Sequence, residues 1–209
     1  MHCAQIQGFF SPQVPVDNIA ASIVAVEHIL EDPIVNLDEF VVVSPDVGGV
    51  RRAKTFQESF LRRGFDKVSL AMIIKQRSGP GKIAQMDLIG NVEDKDCVII
   101  DDLIDTAGTL CKAAKVLKEK GAKNVYAFAT HGVFSGPAPT NIKDSVLQKL
   151  LVTNTIPLSQ EFIETVPKEK YEHLSISTLV AETIRRIYLK ESVSSMFEPS
   201  KVKRSDQVQ

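Results

Sequence analysis

The sequence contains no tryptophan, and its three cysteines, Cys3, Cys97 and Cys111, are odd in number and lack Cys-x-x-Cys spacing. That argues against a disulfide framework and a structural zinc site and leaves reduced thiols as the expectation. No apolar run approaches the roughly 20 residues that a bilayer-crossing helix needs, and the first residues show no basic stretch followed by an apolar one. An excess of one charge is also missing. The 25 Lys and Arg face 26 Asp and Glu, a formal net charge of -1, so nothing global draws the chain to nucleic acid or an anionic membrane, and any anion site must be local. Internal repeats and low-complexity blocks are absent. What remains is 209 residues, 44% hydrophobic and 24% charged. This is the composition of a folded, cytoplasmic protein with one domain of ordinary size plus extra segments.

Short β-branched runs alternate with longer amphipathic ones, the sequence form of βαβ units around a parallel sheet, so the fold class is α/β. Strands are expected at 40–44, 68–74, 97–102 and 124–130, with shorter ones at 151–153 and 174–176. Helices are expected at 20–30, 49–63, 107–120 and 179–189, with Gly64 and Gly121 as stops. The stretch from Lys75 to Asp87, rich in Gly, Pro and cations without a period, reads as a mobile basic loop. His131 to Pro139 reads as a Gly/Pro turn region. The chain divides into an N-terminal segment 1–18, a main domain 19–197 and a frayed polar tail 198–209.

The most informative segment is Val98 to Thr109, VIIDDLIDTAGT. A buried strand delivers Asp101 and Asp102 at its carboxyl end, the edge where open α/β sheets bind ligands. A short turn with Asp105, Thr106, Ala107, Gly108 and Thr109 then opens a helix, whose free N–H groups and positive dipole end suit a phosphate. The carboxylates would repel that phosphate, so their partners are sugar hydroxyls or a divalent cation. Together the two parts describe a sugar phosphate. A plain helix cap by Asp105 or Thr106 is the competing reading. A second strand-to-helix turn, SPDVGGVRR at Ser44 to Arg52, places Gly48 and Gly49 for close backbone approach, Asp46 as a carboxylate and Arg51 beyond. It can hold a pyrophosphate and its metal. Arg52 and Lys54 read as a solvated helix face.

The VIIDDLIDTAGT segment resembles the phosphoribosyl diphosphate (PRPP) loop of the type I phosphoribosyltransferase fold. With QIQGFF at Gln5 to Phe10, PVDN at Pro15 to Asn18, SPDVGG, KQR at Lys75 to Arg77, THGVFSGPA at Thr130 to Ala138 and VTNTIP at Val152 to Pro157, the resemblance narrows to ribose-phosphate pyrophosphokinase (PRPP synthetase), from His2 to about Phe197. It implies transfer of the diphosphoryl group of ATP to ribose 5-phosphate, with Mg²⁺ as the cofactor. It implies Lys75 and Arg77 as catalytic cations, Asp101, Asp102 and residues 105–109 as the ribose 5-phosphate site, and Asp46, Gly48, Gly49 and Arg51 as the diphosphate region. His2, Asp17 and Asp46 are implied as metal ligands, although Ser11 stands where the family has an acid. Complete members carry a preceding domain of the same architecture. The chain is therefore expected to be a truncated form acting as a homo-oligomer or beside full-length subunits. A regulatory subunit that binds without catalysing, and a phosphoribosyltransferase that consumes PRPP, are the rival readings.

His131 stands in the Gly-rich turn, where a reach to the sheet edge and a purely structural role are both open. Cys111, one turn into the helix after the phosphate turn, reads as packing.

Overall fold

The structure, a computed structural model, describes residues 2, 4–79 and 82–197. Among the described residues seven strands form one sheet in the order β3-β2-β1-β4-β5-β6-β7. They are β1 (Phe40–Ser44), β2 (Ser69–Gly79), β3 (Lys82–Ile89), β4 (Asp96–Ile104), β5 (Asn124–Gly132), β6 (Lys149–Thr153) and β7 (Tyr171–Leu174). All neighbours pair in parallel except β2 with β3. The helices are α1 (Ser22–Glu31), α2 (Val50–Leu61), α3 (Gly108–Glu119), α4 (Ala138–Lys143), α5 (Gln160–Thr165) and α6 (Ser177–Leu189).

Strand side chains alternate between the two faces of the sheet, and each face buries its own set. Phe40, Val42, Val98, Ile100 and Phe128 pack under Ala25, Val26 and Ile29 of α1 and Ala53, Phe56 and Phe60 of α2. Val41, Val43, Cys97, Ile99, Val125 and Ala127 pack under Leu110, Ala113, Ala114 and Leu117 of α3, with Ile142 of α4 and Phe162 of α5. Cys97 is fully buried there, and burial pushes its thiol up to about 12. Cys111 is half-buried beside the same core. Phe40 meets Phe60 edge to face at 5.0 Å between ring centres, which ties β1 to α2.

Two expectations are corrected. Within the loop expected from Lys75 to Asp87, the described residues 75–79 and 82–87 instead pair as antiparallel strands, with Lys75 opposite Met86 and Gly79 opposite Lys82. Cross-strand hydrogen bonding, a non-local effect, overrides the weak strand preference of Ser, Gly and Gln there. The turn region from His131 also shortens: β5 runs on through Gly132, and Pro137 leads into α4 at Ala138. The expected tail at 198–209 lies outside the described residues. Among the described residues no helix is long and apolar enough to cross a membrane.

This strand order creates the site's location. From β1 the chain turns one way through α2 to β2, and after β3 it crosses back to β4 on the other side of β1. The carboxyl ends of β1 and β4 therefore open onto a crevice at the switch point, where α/β sheets bind ligands.

Candidate functional site

At the end of β1, fully buried Ser44 donates its hydroxyl to the carbonyl of Asp46 at 2.7 Å, and Asp46 Oδ1 accepts from the Gly49 N–H at 3.0 Å. Asp46 thus caps the short 3-10 turn Val47–Gly49 that leads into α2. A Cβ at Gly49 would lie 2.8 Å from Ser44 Oγ and 3.4 Å from an Arg52 nitrogen. Only glycine fits this approach.

β4 carries Asp101 and Asp102 to the crevice, and Arg52, on the first turn of α2, reaches both. Its two terminal nitrogens lie 2.8 Å from Asp101 Oδ1 and 3.0 Å from Asp102 Oδ1. The expectation that Arg52 belongs to a solvated helix face is corrected by these contacts. The signal was present in the sequence: Arg52 stands four residues before Phe56 and eight before Phe60, on the sheet-facing stripe of α2. The Asp102 N–H also donates to Asp101 Oδ1 at 2.9 Å, and His2 Nδ1 lies 2.5 Å from Asp102 Oδ2.

Burial, then the hydrogen bond with Asp102, raises the Asp101 carboxyl to about 6 against the pull of Arg52. For Asp102, burial would also raise the pKa, but the Arg52 charge and the hydrogen bonds from His2 and Asp101 outweigh it and hold the carboxyl below the usual range. One carboxylate is easily protonated and its neighbour firmly ionised.

Beyond β4 the turn of residues 105–107 is held from outside by the approach to α4. Ser135 donates its hydroxyl to Asp105 and its N–H to the Asp105 carbonyl at 3.1 Å, and the Asn141 amide donates to the Thr106 carbonyl at 2.9 Å. Ala107 takes a left-handed conformation with φ 59° before α3 begins at Gly108, and no side chain caps that helix. Its first N–H groups have no partner within the helix. Thr106 is exposed and Thr109 half-buried beside them. Acid rim and uncapped helix end are consecutive in the chain, which is the juxtaposition the sequence implies.

The crevice, about 140 Å³, is closed on its other side by residues 18–22 and by Phe128, Thr130 and His131 at the end of β5. His131 Nδ1 lies 2.9 Å from Thr155 Oγ1, whose own hydroxyl is given to the Thr130 carbonyl at 2.9 Å. The histidine is therefore assigned its proton on Nδ1. Burial lowers its pKa, which keeps the ring neutral near pH 7. His131 both lines the crevice and holds β5 to the segment after β6. A larger hollow of about 630 Å³ lies between α1 and α6, away from the switch point and from the acid pair.

Lys75 and Arg77 lie on β2 beyond Met72, its last residue paired with β1. At about 3.3 Å per residue, their backbone overhangs the edge by roughly 10 and 16 Å, next to the turn at residues 44–49. The three metal candidates do not converge. His2 lies on Asp102, Asp46 caps its turn and Asp17 is exposed, and no group of three metal-binding side chains occurs among the described residues. A hard cation such as Mg²⁺ needs only one or two protein carboxylates and completes its shell with water and phosphate, and the exposed carboxylate of Asp17 and that of Asp46 at its turn are donors of that kind.

A mostly parallel sheet flanked by helices, with its acid rim and open helix end at the switch point, defines an α/β protein of the phosphoribosyltransferase-like class. Residues 65–198 match the family described as phosphoribosyl synthetase-associated domain, and the chain belongs to that family. It is 49% identical over 197 residues to the ribose-phosphate pyrophosphokinase of Vibrio cholerae, with 94% of this chain and 59% of the relative covered. To that of Coxiella burnetii it is 50% identical over 198 residues, with 94% and 58% covered. The crystal structure of phosphoribosylpyrophosphate synthetase from Mycobacterium smegmatis aligns with a TM-score of 0.74 and 37% identity, over 90% of this chain and 57% of that one. The chain thus spans a little under three fifths of the length of these relatives.

Proposed function

We propose that this chain is the ribose 5-phosphate-binding part of a ribose-phosphate diphosphokinase, which transfers the β,γ-diphosphoryl group of ATP to the C1 hydroxyl of ribose 5-phosphate. The C1 oxygen bonds to the β-phosphorus, the bond between that phosphorus and the α,β-bridging oxygen breaks, and AMP leaves. The products are PRPP and AMP, and the hydroxyl proton passes to solvent.

The observation that carries this reading is the acid pair beside the uncapped start of α3. Asp101 and Asp102 would take the ribose hydroxyls, and the turn 105–109 would take the 5-phosphate. In this reading Asp46, Gly48, Gly49 and Arg51 form the diphosphate region. Lys75 and Arg77, on the overhanging ribbon, stabilise the charge that develops on the transferred group. In the same reading Mg²⁺ would draw its protein ligands from His2, Asp17 and Asp46 and would supply charge neutralisation of the phosphates. The enzyme works in the cytoplasm as a homo-oligomer.

Isothermal titration with ribose 5-phosphate tests the site. The intact chain binds it, and Asp101→Ala weakens binding at least about tenfold, the worth of one charge-assisted hydrogen bond. Unchanged affinity removes the assignment. The second reading is a regulatory subunit that binds ribose 5-phosphate without turnover. Measuring AMP release from ATP, Mg²⁺ and ribose 5-phosphate, with and without a full-length relative, separates the two.

A further inference from the structure

Successive side chains on a strand point to opposite faces, so the adjacent Asp101 and Asp102 need a reason to serve one ligand. Arg52 provides it, since it contacts both carboxylates from α2 at 2.8 and 3.0 Å. A guanidinium presents donors on separate nitrogens in a rigid fork and can hold two carboxylates at once, whereas a lysine ammonium is a single point charge on a flexible stem. The three side chains are between 14% and 31% exposed. They are shielded enough for the fork to persist and open enough for a ligand to arrive.

We propose that Arg52 is a positioning residue that clamps Asp101 and Asp102 onto one side of the crevice, so that together they accept the neighbouring 2- and 3-hydroxyls of a single pentose. The proposal rests on the ribose 5-phosphate reading above and adds a specificity to it: the clamped pair distinguishes ribose from 2-deoxyribose. Arg52 does so without touching the sugar, through the orientation of the two acids.

The test titrates the intact chain, Arg52→Lys and Arg52→Ala with ribose 5-phosphate, 2-deoxyribose 5-phosphate and inorganic phosphate. The wild-type chain prefers the ribose form by about tenfold, the contribution of one charge-assisted hydrogen bond. Both variants lose that preference, and millimolar guanidinium ion restores part of it in Arg52→Ala. Inorganic phosphate, seated on the turn 105–109, binds all three proteins within twofold and reports that the fold is intact. A preference retained in either variant overturns the proposal. So does a parallel loss of inorganic phosphate binding, which makes Arg52 a phosphate ligand or a purely structural residue. A wild-type chain that binds neither sugar phosphate overturns the functional reading beneath it.

Discussion

Asp101 is the residue whose environment has the most direct consequence in solution. Its carboxyl keeps a proton in the folded chain up to about pH 6, whereas an unfolded chain gives it up near pH 4. Between those values the folded state binds more protons, so stability falls as pH rises through the window and levels off above about pH 6. Asp102 runs the other way. Held below its usual value, it contributes stability that is present above the unfolded pKa and lost as pH falls through the folded one. Asp101→Asn removes the falling limb. In urea denaturation the wild type is expected to lose stability relative to this variant between about pH 4.5 and pH 7, and parallel curves for the two would contradict the assignment. The acid pair itself was legible in the sequence, because an apolar strand ending in two carboxylates before a Thr- and Gly-rich turn is a local pattern. The partner of the pair was harder to read. Arg52 sits among Arg51, Lys54 and other polar residues of α2, and only its phase with Phe56 and Phe60 separates it from a wet helix face.

Among the elements, α4 shows how a short helix survives without length. It spans six residues, Ala138–Lys143, too few to be stable alone. Lys170 closes its far end, with Nζ donating to the carbonyls of Ile142 at 3.2 Å, Lys143 at 2.8 Å and Ser145 at 2.7 Å. A cation at a helix C-terminus also meets the negative end of its dipole. Lys170→Met is expected to cost about 1–3 kcal/mol, seen as a lower denaturation midpoint with an unchanged slope. Because α4 and its approach hold the turn at 105–107 through Ser135 and Asn141, the same variant is expected to loosen the phosphate turn. Sequence reading found neither α4 nor α5, since six residues are too short for a helical period to emerge. The β2–β3 ribbon was missed for the opposite reason. Its strands are long, but residues 76–79 carry Gln, Arg, Ser and Gly, and it is the partner strand that organises them. The register shifts around Arg77 add irregularity that no period-2 pattern records.

For the whole molecule, the α/β class and the main strands were readable because buried parallel strands such as FVVVS and CVII are continuous apolar runs. The strand order was not, because it depends on which side of β1 each crossover returns. That order brings Arg52, at the start of α2, and Asp101 and Asp102, near the end of β4, to the same crevice. Burial in the sheet has another consequence, at Cys97. A thiol with no solvent access and a pKa near 12 is chemically silent toward iodoacetamide in the native state. Its alkylation, followed by mass spectrometry of the peptide that carries it, therefore registers only openings of the central sheet. The chain carries its own stopwatch for unfolding, and a bound sugar phosphate is expected to slow its hand.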